Sequence, residues 1–172
     1  FWEDQELIIG NHSPNIQNTS YIRAMDFDGN VTVLDTLNID LGNVYDWAEV
    51  DSENGYYILN LYRSSKIVIY DLINGGYSTV QFSDSESDDQ VAIVPEKESL
   101  YGIVYVQPDS TYNTLYSLVS MDYNGNETTI KTYSYELTKD MDRDNLVYDA
   151  ENELLINVGF SKINFFNLEG DL

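Results

Sequence analysis

The sequence predicts an all-β fold in which short antiparallel strands are gathered into repeated four-stranded sheets. Three observations carry the prediction. The apolar segments are short and rich in Val, Ile, Tyr and Phe. Gly, Asn and Asp interrupt them at close intervals, and helical periodicity is nearly absent. β-Branched and aromatic side chains suit a pleated, half-buried surface, and Asn-Gly or Asp-Gly pairs supply the positive φ that tight hairpins need.

Taken in order, residues 1–39 hold the runs Glu6–Gly10, Tyr21–Phe27 and Val31–Leu37. Residues 44–82 hold Val44–Val50, Tyr56–Tyr62, Lys66–Asp71 and Tyr77–Phe82. Residues 91–136 hold Val91–Val94, Leu100–Val106, Leu115–Met121 and Thr128–Tyr135. Residues 146–172 hold Leu146–Tyr148, Leu154–Phe160 and Ile163–Leu168. Pro14 and Pro108 fall between runs and Pro95 ends one, as expected of a residue that cannot donate to a ladder.

Two turns recur in phase. The first is Asp26-Phe27-Asp28-Gly29-Asn30, then Asp71 to Gly75, Asp122 to Asn126 and Asn167 to Asp171, with first residues 45, 51 and 45 apart. The second lies upstream of three of these, at Asp51 to Asn60, Pro95 to Gly102 and Asp149 to Asn157, and Glu3 to Gly10 fits the same template. Four short strands in a repeat of this length are the blade of a β-propeller. The lines Ser65 to Asp71 and Ser161 to Asn167 resemble the third-strand motif of NHL-like and YVTN-like propellers. The Trp-Asp and Gly-His signature of WD40 repeats and the Gly-Gly pair of kelch blades are missing at matching positions. The resemblance implies an architecture, not a subfamily.

The end repeats each carry three strands against four in the middle ones. In the first, Phe1 and Trp2 stand as the stub of an inner strand; the last stops in the turn at Gly170. This pattern leads us to expect a partial propeller, a single segment of about four blades cut within its end blades. A closed small propeller is the alternative. A cut would leave strand edges open near Leu7–Gly10 and Ile163–Phe166, so self-association through them, or further blades of the same polypeptide, is expected.

Charge excludes more than it assigns. Thirty Asp and Glu face eight Lys and Arg, a net charge of −22. Such a chain repels a phosphate backbone, so no nucleic-acid partner is expected. With no cysteine there is neither a disulfide nor a thiolate site, and a lone His12 makes a histidine-based metal or catalytic site improbable. No apolar run approaches the roughly 18 residues of a membrane span, so no membrane insertion is expected.

In an antiparallel meander, the blade-to-blade connections share one face with the loops between second and third strands. Three connections, Asp40–Asp46, Ser83–Gln90 and Leu137–Asn145, gather nine carboxylates there. Asp140, Asp142 and Asp144 follow the D-x-D-x-D spacing of a calcium loop, with Asn145 where Gly is usual. Glu151 stands at position twelve, but the repeat places it in a turn at the opposite end of the blade. A partial calcium site is the sharp reading, and a solvated acidic loop is the plainer one. No other cofactor is expected. Asp46, Gln90 and Asp144 open successive inner strands and would ring the channel mouth, as ligand contacts or as structural anchors. Ser83 and Ser85 have the downstream acids that acidophilic kinases favour. Sequons at Asn11, Asn18, Asn30 and Asn126 fall at strand ends or in loops, where a glycan has room.

These features favour a non-catalytic binding or structural module, the blades of an extracellular or cell-surface protein presenting an acidic face to a protein partner or to cations. The alternative is part of a propeller hydrolase or lactonase whose active site other blades complete.

Overall fold

A computed structural model describes residues 1–12, 19–39, 45–61, 66–83, 91–106, 115–134, 141, 146–159 and 161–172, apart from the side chains of residues 4, 45, 46, 61, 105 and 106. The described residues form fourteen strands and two short 3-10 turns. Sheet one holds β1 (Ile8–His12), β2 (Ser20–Met25) and β3 (Val31–Leu37); sheet two holds β4 (Tyr45–Asp51), β5 (Tyr56–Leu61), β6 (Lys66–Asp71) and β7 (Tyr77–Val80). Sheet three holds β8 (Ala92–Val94), β9 (Ser99–Val106), β10 (Leu115–Asp122) and β11 (Glu127–Thr132). Sheet four holds β12 (Leu146–Asp149), β13 (Leu154–Val158) and β14 (Ile163–Phe166). Within each sheet the strands lie in chain order and pair antiparallel. This is the meander of a propeller blade, four times over. No helix among the described residues is long and apolar enough to cross a membrane.

The chain divides into two compact units, Phe1–Val80 and Gln81–Leu172. In the first, Ile9, Ile22, Ala24 and Leu37 of sheet one meet Tyr57, Leu59, Val68 and Tyr70 of sheet two. In the second, Tyr101, Ile103 and Leu118 of sheet three meet Leu146, Leu155 and Phe166 of sheet four. Period-two alternation puts these residues on one face of each sheet, and burying each Val, Leu, Ile or Phe side chain contributes about 1.5–3 kcal/mol.

The turns show why the repeat is legible. Asp26, Asp71, Asp122 and Asn167 each accept the N–H of the turn glycine on their backbone carbonyl, at 2.9–3.0 Å. Each donates its own N–H to the carbonyl of Asn30, Gly76, Asn126 or Asp171. Their side chains complete the turn: Asp26 Oδ1 accepts from Asn30 N at 2.8 Å, and Asp71 Oδ1 accepts from both Ile73 N and Asn74 N at 2.8 Å. Gly29, Gly75, Gly125 and Gly170 all adopt φ between 77° and 88°, where a Cβ is strained.

Several strand ends differ from the reading of the runs. β1 begins at Ile8, not Glu6, because Glu3–Gln5 forms a 3-10 turn and Glu6 turns left-handed at φ 52°. It also runs on through His12, expected in the following loop, which pairs with Tyr21. β7 ends at Val80, and Phe82 is buried beyond the ladder, its ring within 3.2 Å of where a Cβ on Gly102 would lie. Trp2 bridges Leu7 through Trp2 N to Leu7 O at 2.8 Å, standing where an inner strand of sheet one would run.

The left-handed position recurs as Glu6, Gly55, Glu98 and Glu153. Glycine occupies it once and glutamate three times, although a left-handed L-residue costs about 1–2 kcal/mol. Since glycine's extra unfolded-state freedom offsets about 0.5–1 kcal/mol of that, Glu98→Gly is expected to stabilise the second unit by about 0.5–1 kcal/mol. Denaturant unfolding checks it; a loss of stability would mean that the Glu98 side chain holds something the backbone conformation does not reveal.

Candidate functional site

The acidic residues divide between turns that the structure describes and connections that it does not. Asp40, Asp84, Glu86, Asp88, Asp89, Gln90, Asp140, Asp142 and Asp144 lie outside the described residues, as do Ser85 and Asn18. Asp46 lies in β4, where the ladder to β5 skips from the Tyr45–Leu61 pair to the Trp47–Asn60 pair. The candidate mouth residue thus falls at a backbone β-bulge. Glu151 sits in the turn between β12 and β13, where the repeat alignment put it, with its N–H on Asp149 Oδ1 at 3.1 Å. Among the described residues no group of three or more His, Asp or Glu is arranged to hold a metal ion.

The aspartates that open the described turns are committed to those turns. Asp122 Oδ1 accepts from Asn124 N and Asn126 N, and its Oδ2 accepts from Asn126 Nδ2 at 2.7 Å. Asp149 binds Asn152 through both oxygens, and the buried Asp51 binds Asn54 the same way. The side-chain bond from Asn30 or Asn126 holds the Asp26 and Asp122 carboxyls below their ordinary range. Asn152 does the same for Asp149. In the last turn the residue types are exchanged: Asn167 caps, and Asp171 pairs with Lys131 Nζ at 2.5 Å, which lowers its carboxyl too.

The sequon asparagines read differently once these bonds are placed. Asn30 and Asn126 are exposed, but each donates its Nδ2 to the aspartate that opens its turn. Turn chemistry alone accounts for both. Asn11 lies in β1 and accepts the Tyr57 hydroxyl on Oδ1 at 2.6 Å. Ser83 donates its N–H and its hydroxyl to the Glu127 carboxylate, at 2.7 and 2.8 Å.

Sequence reasoning overlooked Glu49, on the inner strand β4. Its carboxyl is held above its usual range, chiefly by the protein that crowds it; the Phe1 amino group opposes the shift and the Asp51 charge adds to it. Its flanking sequence is that of any strand, and no local signal marks it. Polar residues buried within strands were overlooked as well: Asn157 takes a bond from Asn164 Nδ2, and Ser117 pairs with Thr132 through their hydroxyls at 2.7 Å.

No family model matches the chain, and no curated protein matches its sequence. Solved structures do resemble it. A nidogen/laminin complex superposes with TM-score 0.58 at 14% identity, over 94% of this chain and 61% of that one. A 6-phosphogluconolactonase-like protein of Bacteroides uniformis gives TM-score 0.62 at 12% identity, over 100% of this chain and 50% of that one. A Lactobacillus plantarum protein gives 0.54 at 15%, over 92% and 51%. At these identities the likeness shows the fold alone, a β-propeller fold. The chain spans 50% to 61% of the length of these three structures.

Proposed function

We propose that this chain is a non-catalytic binding or structural module, the propeller blades of an extracellular or cell-surface protein that presents acidic loops to a basic protein partner, with calcium a weak ligand at most. The observation that carries the non-catalytic part of this reading is the state of the described turn carboxylates. Asp26, Asp122 and Asp149 are held below the ordinary range by bonds within their own turns. A general acid requires the opposite shift, which Glu49 shows within strand β4 and none of these turn carboxylates does. Groups fixed in this way keep their charge and position, and a net charge of −22 attracts a basic surface from a distance. The likeness to a protein found in a protein–protein complex agrees with it.

A second reading, part of a propeller hydrolase or lactonase, draws on the phosphogluconolactonase-like structures and on the bulge at Asp46.

Calorimetric titration of a lysine-rich peptide and of calcium into the full chain separates the readings. The peptide is expected to bind with an affinity that falls steeply with salt. Changing Asp84, Glu86, Asp88 and Asp89 to their amides should weaken it at least tenfold. Peptide binding indifferent to those residues would refute the acidic-loop reading. Submicromolar calcium binding abolished by Asp142→Asn would make Asp140, Asp142 and Asp144 a true metal site. Hydrolysis of a sugar lactone lost in Asp46→Asn would establish the enzyme instead.

A further inference from the structure

The core of the second unit differs from that of the first at one edge. Counting from the left-handed residues Glu6, Gly55, Glu98 and Glu153, Ile9 matches Tyr101 and Val50 matches Tyr148. Counting from the turn residues Asp71 and Asn167, Leu72 matches Leu168 and Ile73 matches Glu169. Ile9, Val50 and Leu72 pack in the first core, and Tyr101, Tyr148 and Leu168 pack in the second. The first unit thus holds Ile9, Val50 and Ile73 where the second holds two phenols and a carboxylate. Packing alone does not call for the polar groups.

These groups converge within the second unit. Tyr101 is 6% exposed and part of the core, yet its hydroxyl forms no hydrogen bond among the described residues. Burial raises this phenol, and the charges of Glu169 and Glu96 add to it, so the hydroxyl faces both carboxylates. The Tyr148 hydroxyl donates to Glu96, with Glu153 close by. Glu96 belongs to the 3-10 turn Pro95–Lys97, Glu153 to the turn before β13 and Glu169 to the turn after β14. Three turns therefore bring three exposed carboxylates to one edge of the core. Among the described residues no Lys, Arg or His forms an ion pair with any of them, and they are not arranged to hold a metal ion.

We propose that Tyr101, Tyr148, Glu96 and Glu169 form a receptor site for the ammonium group of a lysine side chain on a partner protein. An ammonium has three donors and no acceptor. The unpartnered Tyr101 hydroxyl and the Glu96 and Glu169 carboxylates supply acceptors from three separate elements. Glu96 keeps capacity for it, because an ionised carboxylate accepts several hydrogen bonds besides the one from Tyr148. A compact point charge suits acceptors spread in this way, whereas the planar guanidinium of arginine suits a bidentate pair. The aromatic rings offer an apolar wall to the methylene stem of the lysine. The site rests on the reading of the chain as a binding module for a basic partner, but it uses the turns rather than the acidic connections.

Titration of Nα-acetyl-lysine methylamide into the full chain at constant ionic strength, followed by NMR, tests this. The lysine analogue is expected to shift the ring signals of Tyr101 and Tyr148 and to saturate. Tyr101→Phe, which keeps the ring, and Glu96→Gln and Glu169→Gln should each weaken binding about threefold or more. Asp28→Asn, the same loss of charge in the other unit, should leave it unchanged, as should the amide changes at Asp84, Glu86, Asp88 and Asp89. If Tyr101→Phe fails to fold, the glutamine variants at the two exposed carboxylates decide. No shift at either ring, an equal response in every variant, or shifts produced by calcium and not by the lysine analogue would overturn the proposal. Binding lost only in the connection variant would overturn it too, while leaving the acidic-loop reading standing. Binding lost only in the Glu96 and Glu169 variants supports the site whether or not that reading survives.

Discussion

Phe166→Ala is expected to cost about 3–5 kcal/mol, while Phe165→Ala, one residue away, should leave the isolated chain within about 0.5 kcal/mol of its starting stability. Phe166 is 1% exposed and packs in the core between sheets three and four, its ring 5.3 Å from that of Tyr133. Its removal leaves a cavity beside the Tyr133 hydroxyl, which donates to the Gly170 carbonyl at 3.0 Å. Refilling that space by collapse is hindered because Gly170 turns left-handed there at φ 80°, with Lys131 and Leu118 against it. A domain holds only about 5–15 kcal/mol in total, so this single loss takes a large share. Phe165 projects from the opposite face of β14 and is half exposed. Denaturant unfolding at low protein concentration, where copies are apart, reads both substitutions. Equal losses would place β14 in the wrong register, since a slip of one residue exchanges the two rings.

The same pair shows what the sequence discloses and what it withholds. The composition of Ile163-Asn164-Phe165-Phe166 says strand, and alternation forbids both adjacent phenylalanines from facing the core. Which of the two does so is decided only by the ladder to β13. The hairpin turns were legible because their chemistry is local: an Asp or Asn cap, a glycine with positive φ, and a partner four residues on. The left-handed Glu6, Glu98 and Glu153 were hidden because nothing in glutamate announces positive φ; alignment with Gly55 was the available signal. The bulges that leave Leu34 and Ile130 out of register recur at the same distance from Gly29 and Gly125, yet they reflect strand twist more than any residue preference. The candidate site was the least legible part. Clustered Asp in a connection reports charge, whereas a site requires convergence of sequence-distant groups, which spacing along one loop does not encode.

Alkaline pH is expected to unfold the protein through its tyrosines. Burial holds the phenols of Tyr70, Tyr101, Tyr133 and Tyr148 above their ordinary value of 10.0. Nearby carboxylates add to it: Asp35 at Tyr70, Glu169 at Tyr101, Asp171 at Tyr133, and Glu96, which accepts a hydrogen bond from the Tyr148 hydroxyl. The folded state therefore keeps protons that the unfolded chain surrenders above about pH 10. Stability is fully present below that pH and falls as pH rises through and beyond it, because the unfolded state then binds fewer protons than the folded one. Tyrosinate absorbance against pH, with circular dichroism in parallel, should show exposed phenols titrating first and the buried ones in a cooperative step that coincides with loss of structure. Tyr133→Phe separates the contributions. It should lower stability at neutral pH by about 1 kcal/mol, by leaving the Gly170 carbonyl without its donor, and move the alkaline transition to higher pH by removing one coupled proton. Titration of all fifteen tyrosines in a single smooth phase, with the sheet signal intact, would show that these phenols are open to solvent and that the packing around Tyr133 is not as described.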